Sequence, residues 1–491
     1  MSRRLLSSSA WAIAGNSGQY VVVFFLLVYL AHILSPRDFG LMATVSIGLD
    51  LGTRIARWGQ VELLQQERYR TDAARNQSLR LSLAIALVCC AVFVAVARPA
   101  GAYFASPELE TMIYLCAPVF LFTATGSTAE AVLRSQFRFK LLAYRSTVAT
   151  LIGAGVAIAM ANMGYGALTL AVQRLVQACV SGLWIWTAVD WRPSLSRRMG
   201  WSGALAKEGA SVMAGTLMPI AVPRTIDLFV GFFMGPVMLG LMRVAFRVNE
   251  FIGQLVVMPL VSVANAELST TAQEPPAMRR SYLRLTQASA LLMCPALIGL
   301  TLVAEEAIPF IFGKQWLGAV PFVEIIGLLA LVAPINYYFA PAMIALGQSR
   351  MVMRQGAVQL ALGAGLTLVA AHYSLVAIAW AHVARGTIIG ALNMLDMRRH
   401  MGLAVGTLMR SMAVPWLATA AMALGIMAAR AALPLDALAG PVRLLVLIGV
   451  GGASYAGALG LIARIGLWPD HAPILRQIMR LRAKTANQAP G

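Results

Sequence analysis

The sequence predicts an all-α polytopic membrane protein of about fourteen transmembrane helices, arranged as two parallel six-helix lobes around a central cavity with two further C-terminal helices. Three observations predict it. Of the 491 residues, 59% are hydrophobic and only 12% charged, with a mean hydropathy of +0.74, whereas soluble domains carry roughly a quarter charged residues. Cutting the chain at its charged and Gly/Pro-marked breaks leaves a succession of apolar stretches near the ~20 residues that a bilayer core requires. Short motifs also recur in the same order at an offset of about 200 residues.

Arg3 and Arg4 precede an apolar stretch over 11–34 that is longer than the core of a cleavable signal and leads directly into another apolar run, so it reads as an uncleaved first span. The expected spans lie near 10–34, 41–62, 81–97, 112–133, 147–162, 168–189, 209–231, 238–262, 286–304, 321–346, 356–372, 376–394, 412–429 and 444–463. The seventh contains Pro219 and Pro223 and is expected to be locally broken there. No polar gap is large enough for a soluble domain. The expected organisation is an N-lobe over 1–200, a C-lobe over 201–400, an accessory pair of helices over 401–465 and a cytoplasmic tail over 466–491.

Orientation follows from Lys and Arg in the short loops. With the N-terminus in the cytoplasm, twenty-seven basic residues fall on that side and five, Arg37, Arg98, Lys314, Arg430 and Arg443, on the other. Both termini are therefore expected in the cytoplasm. The formal net charge of +19 is mostly this topology signal, which removes the nucleic-acid reading that a high pI invites. The five cysteines lie in apolar runs without ligand spacing, and neither a disulfide framework nor a metal site is expected.

The repeat is most visible where Ser35-Pro36-Arg37-Asp38-Phe39-Gly40-Leu41-Met42 aligns without a gap with Gly235-Pro236-Val237-Met238-Leu239-Gly240-Leu241-Met242. Leu79-Arg80-Leu81 then matches Leu283-Arg284-Leu285, and Gly153-Ala154-Gly155 matches Gly363-Ala364-Gly365. A duplicated unit of six helices enters the membrane twice from the same side, giving parallel repeats of the kind found in transporters.

These residues carry a resemblance. Leu34 to Leu41, Phe137-Arg138-Phe139-Lys140, and Gly164-Tyr165-Gly166-Ala167-Leu168 with Gln173 are similar to first-lobe signatures of Wzx-type oligosaccharide flippases. That family is the polysaccharide transporter branch of the multidrug/oligosaccharidyl-lipid/polysaccharide (MOP) superfamily. Asp227, Gly235-Pro236, Leu239-Gly240-Leu241, Arg247, Pro259 and Phe312-Gly313-Lys314-Gln315-Trp316 resemble the same family in order and spacing. The resemblance covers roughly residues 5–400; Asp50-Leu51-Gly52 departs from it by coming early and being followed by Arg54 and Arg57. It implies a MOP/MATE-like fold and a multi-pass protein of the bacterial inner membrane. It further implies translocation of undecaprenyl-diphosphate-linked oligosaccharide for exopolysaccharide, O-antigen or capsule synthesis, with polysaccharide polymerase or export machinery as a further partner.

Charges inside the expected spans are functional candidates by default, because each costs about 2.5–3.5 kcal/mol at a helix centre on insertion scales. Asp50, Arg54 and Arg57 sit at i, i+4 and i+7 of the second span, and Arg243, Arg247 and Glu250 at i, i+4 and i+7 of the eighth, so each trio shares one helical stripe. Arg224 and Asp227 lie beside Pro223. Arginine donates bidentate hydrogen bonds to phosphate and keeps its charge in poorly hydrated places. Arg54, Arg57, Arg224, Arg243 and Arg247 are thus candidate diphosphate ligands, and Asp50, Asp227 and Glu250 are candidates for coupling to H+ or Na+, with no other cofactor expected. The same residues also read as local ion pairs, Asp50 with Arg54, Arg224 with Asp227 and Arg247 with Glu250, that let polar helices insert. Arg174, Arg385, Glu130 and Glu324 read as groups near helix ends that snorkel, and Trp316, Trp416 and Trp468 suit interfacial belts.

Two alternatives stand beside the flippase. A drug/cation antiporter of the same superfamily is expected to have an acidic cavity, whereas the spans hold seven arginines and five acids. A polyprenyl-linked glycosyltransferase or polymerase is expected to show acidic motifs on sizeable outer loops, which this chain lacks; the chain reads as a transporter and not an enzyme.

Overall fold

A computed structural model describes residues 19–194 and 202–465 of the chain. The start of the first expected span, Arg197, Arg198, Trp468 and the basic tail residues lie outside them. Among the described residues there is no strand.

The helices are α1 (Gln19–Ile33), α2 (Pro36–Arg57), α3 (Gln60–Leu63), α4 (Asp72–Tyr103), α5 (Pro107–Cys116), α6 (Val119–Ser135), α7 (Phe139–Asn162), α8 (Leu168–Trp184) and α9 (Gly203–Thr271). They continue with α10 (Pro275–Leu302), α11 (Ala304–Phe312), α12 (Val320–Ile326), α13 (Ala333–Tyr337), α14 (Phe339–Ala345), α15 (Ser349–Ala370), α16 (Leu375–Met401), α17 (Val405–Ala432) and α18 (Gly440–Arg464). Two compact units divide the chain: the first holds residues up to Val244 with Leu360–Leu375, the second Ala245–Gln359 and the residues from Val376 onward.

Among the described residues, eleven helical segments are long and apolar enough to cross a membrane, where fourteen spans are expected from sequence. The difference has identifiable sources. The seventh and eighth expected spans lie on one 69-residue helix, α9. Only 15 residues of the first are described as helix, and α2 is diluted by Arg37, Asp38, Asp50, Arg54 and Arg57.

The break in α9 also differs from expectation. The helix runs unbroken through Pro219 and Pro223 and departs from helical geometry at Gly235 (φ 82, ψ 176). A proline forfeits one backbone hydrogen bond, which membrane helices tolerate. Gly235 precedes Pro236, whose ring disfavours helical backbone in the residue before it, and glycine adopts the left-handed alternative freely. At the repeat-equivalent position Ser35 is extended and Pro36 is the first residue of α2. A capping box closes that start: Ser35 Oγ accepts from the Asp38 N–H at 3.3 Å and Asp38 Oδ2 accepts from the Ser35 N–H at 2.8 Å.

The two motif copies meet within the first unit. A Cβ on Gly40 would overlap the Pro236 carbonyl oxygen, and a Cβ on Gly240 would overlap the Pro36 carbonyl oxygen. Each helix start therefore rests on the other's glycine, the reciprocal contact of a local two-fold made with the small residues that bring membrane helices together. The core of this unit packs Leu41, Val45 and Leu49 of α2 against Leu109, Phe120 and Ala171. Leu87, Val88, Val92 and Val96 of α4 face outward, an apolar exterior suited to lipid.

In the second unit Tyr282 and Tyr338 are fully buried, with the Tyr282 hydroxyl donating to the Ile335 carbonyl at 2.8 Å. Trp316 is likewise fully buried beside Phe312. It is a core residue, one turn beyond Gly313 (φ 103), which ends α11.

Candidate functional site

In the first unit α2 presents Asp50, Arg54 and Arg57 along one stripe, and all three line a cavity of about 360 Å3. Two successive left-handed residues, Trp58 and Gly59, end α2 one residue after Arg57. Both arginines thus occupy its last turn, where the helix dipole favours positive charge. Glu130 of α6, Arg145 of α7 and Arg174 of α8 complete the charged lining, among the uncharged polar groups of Thr53, Thr123, Ser127, Gln177 and Ser181. Four guanidiniums face two carboxylates, and the cavity is cationic.

Its charges are organised in two networks. Asp50 is held by Arg174 across 2.8 Å and, on its other oxygen, by Arg224. Arg224 also donates to Asp227 at 2.8 Å, and Asp227 accepts in addition from Arg243. Three arginines and two aspartates from α2, α8 and α9 thus form one chain, in which the Asp227 side chain is only 2% exposed. In the second network Glu130, 6% exposed, receives Arg134 at 2.8 Å, Arg145 at 3.3 Å and Arg57 at 3.8 Å. Arg145 Nε is buried without a hydrogen-bond partner. Arg54 differs from all of these: among the described residues it has no ion pair or hydrogen bond to another side chain, and it lines the cavity.

Asp50, Arg54 and Arg57 share the cavity; Arg224, Asp227 and Arg243 share the network that reaches it through Asp50. The expected Asp50–Arg54 pair is absent, since Asp50 turns to Arg174 and Arg224. Arg247 and Glu250 belong to the second unit, where they pair across 3.2 Å with both side chains about half exposed. Glu250 lines a separate cavity of about 440 Å3 there, with His382 and Arg385, whose Nη2 lies 3.1 Å from His382 Nδ1.

Arg174 and Glu130 are not snorkelling groups at helix ends: each is tied into a network at the cavity wall. The Glu130–Arg134 spacing of four residues carried a signal for its pair. Arg145 gave none, because it reaches Glu130 from the next helix and sits in what reads as loop.

A family model described as polysaccharide biosynthesis protein matches residues 29–321, more than half of the chain. The chain belongs to this family. Succinoglycan biosynthesis transport protein ExoT of Rhizobium meliloti is 22% identical over 321 residues, 65% of this chain and 64% of its own length, so the match spans slightly less than two thirds of that relative. Teichuronic acid biosynthesis protein TuaB of Bacillus subtilis is 23% identical over 363 residues, 72% of this chain and 74% of that one. Among solved structures, lipid II flippase MurJ in an inward closed conformation superposes with a TM-score of 0.72 at 14% identity, covering 92% of this chain and 98% of that chain. An inward-facing multidrug resistance MATE family transporter of the MOP superfamily gives 0.58 at 13% identity, covering 78% and 94%. The family member is thus an all-α, multi-pass membrane protein with the fold of the MOP superfamily.

Proposed function

We propose that this polysaccharide biosynthesis family member is a flippase. It moves an undecaprenyl-diphosphate-linked oligosaccharide repeat unit from the cytoplasmic to the periplasmic leaflet of a bacterial inner membrane by alternating access, and it is a transporter and not an enzyme. The observation that carries this reading is the cationic cavity of the first unit, where Arg54 has no partner among the described residues and three further guanidiniums converge. Charge of one sign in a membrane interior is retained where it meets an oppositely charged ligand, and guanidinium forks match phosphate geometry. Arg54 and Arg57, with Arg145 and Arg174 beside them, take the diphosphate. Arg224 and Arg243 hold the acids of the wall, while Arg247, paired with Glu250 in the second unit, is not counted among the diphosphate ligands. The names of ExoT and TuaB, as polysaccharide biosynthesis proteins, support the substrate class.

A cavity of this sign runs against an organic-cation antiporter. Both termini are placed in the cytoplasm, on the basic side of the loops, and polymerase or export machinery takes over the product.

Deletion of the gene tests the reading. Lipid-linked repeat units are expected to accumulate in the cytoplasmic leaflet with surface polysaccharide lost, and wild-type chain restores export where Arg54→Ala restores markedly less. Unchanged polysaccharide with no accumulated lipid-linked oligosaccharide overturns it.

A further inference from the structure

The cavity of the second unit has a different chemistry from the cationic one. Asn249, Gln254, Asn336 and Gln359 put four amide side chains on its wall, with Phe246 and Tyr337, and its charged lining is one carboxylate, Glu250, which also pairs with Arg247, and one guanidinium, Arg385. Its volume of about 440 Å3 lies within the ~300–1,000 Å3 typical of ligand sites.

Two observations distinguish these amides. Asn336 is held by a relay of amides: Gln355 Nε2 donates to Asn393 Oδ1 at 2.9 Å, and Asn393 Nδ2 donates to Asn336 Oδ1 at 2.8 Å. Asn336 Nδ2 in turn donates to the Gly386 carbonyl at 3.3 Å, and Asn393 is 1% exposed. Asn336 is thereby fixed in orientation with one N–H and one lone pair left over. Asn249, Gln254 and Gln359, in contrast, have no hydrogen-bond partner among the described residues although each is partly buried on the cavity wall. Polar groups in a membrane interior are costly unless satisfied.

We propose that this cavity is a saccharide subsite that recognises sugar hydroxyls of the lipid-linked oligosaccharide and so contributes to which repeat unit is exported. An amide offers both donor and acceptor, as a hydroxyl requires, and a wall with more amides than charged groups suits an uncharged ligand. The rings of Phe246 and Tyr337 supply apolar surface for the C–H faces of a pyranose. The proposal rests on the flippase reading, and it adds a second recognition element of a different kind from the arginines.

The test uses Gln254→Leu and Gln359→Leu in the full chain, two changes that remove no hydrogen bond to another described residue. Each is expressed in the deletion strain alongside wild type, in a host making the complete repeat unit and in hosts lacking its later glycosyltransferases, which make truncated lipid-linked units. Periplasm-exposed lipid-linked oligosaccharide is then quantified. Wild type is expected to favour the complete unit, and each variant to lose about tenfold of that preference, as one hydrogen bond implies, while exporting the shortest unit as wild type does. Arg54→Ala is expected to lower export of every length alike. An unchanged preference in both variants, a wild type without preference, or equal loss for all lengths at normal expression overturns the subsite and leaves the flippase standing. Absence of any accumulated lipid-linked oligosaccharide in the deletion strain overturns both.

Discussion

Asp227 and Arg54 show how two ionisable residues of one membrane unit differ in kind. Asp227 is buried between Arg224 and Arg243; removing one partner of a buried ion pair strands the rest, at about 3–5 kcal/mol. Arg54 has no such partner among the described residues. Asp227→Ala is therefore expected to lower the melting temperature of the purified protein sharply, and Arg54→Ala to leave it unchanged while impairing export. Thermal unfolding of both variants in one detergent checks the pair; equal shifts would remove the distinction between a structural and a ligand-facing charge. In the sequence both residues read alike, as charges in apolar spans. Helical spacing places Asp50, Arg54 and Arg57 on one stripe, but the partner each meets is set by other helices: Asp50 meets Arg174 and Arg224, and Arg57 meets Glu130.

At the scale of elements, the P-x-x-x-G-L-M motif has a mechanical reason. Proline starts a helix at Pro36 and at Pro236, and the glycine four residues on admits the other helix's proline carbonyl. Gly40→Ala and Gly240→Ala each insert a methyl where backbone already lies, an overpacking cost of about 1–3 kcal/mol or more. Gly155→Ala in α7 has open space around it and is expected to be neutral or stabilising by up to about 1 kcal/mol. The yield and melting temperature of the three variants check this, and a stable Gly240→Ala protein would contradict the close crossing. The motif's repetition was legible in the sequence, because identical punctuation recurs at a fixed offset. The bend of α9 is less legible, because Pro219 and Pro223 read as breakers in the sequence, whereas the backbone departs from the helix at Gly235, where glycine before proline favours it.

For the whole molecule, composition was enough to fix the class: a chain with 12% charged residues and a positive mean hydropathy is a membrane protein, and the fold shared with MurJ agrees. The number of spans was less legible, since charges that serve the cavity dilute the hydropathy of α2 and one helix runs through two expected spans. Exchange of a lipid between leaflets is not itself uphill, so a net direction requires an external source, and Asp50, Asp227 and Glu250 are our candidates for taking up H+ or Na+ as the substrate departs. Flipping in proteoliposomes is expected to accelerate when a proton or sodium gradient is imposed, and Asp227→Asn to weaken the response. Indifference to both gradients removes the coupling.

The chain of ion pairs from Arg174 through Asp50, Arg224 and Asp227 to Arg243 also constrains how such a protein can diverge. Loss of Asp50 strands Arg174 and loss of Asp227 strands Arg243, with Arg224 left holding the remaining aspartate, so substitutions at positions 50, 174, 224, 227 and 243 are expected to be coupled. Arg54 and the amides of Asn249, Gln254 and Gln359 have no such tie to their neighbours among the described residues and can change singly. On the flippase reading, adaptation to a new substrate is therefore expected first at these untethered residues and last at the five linked ones.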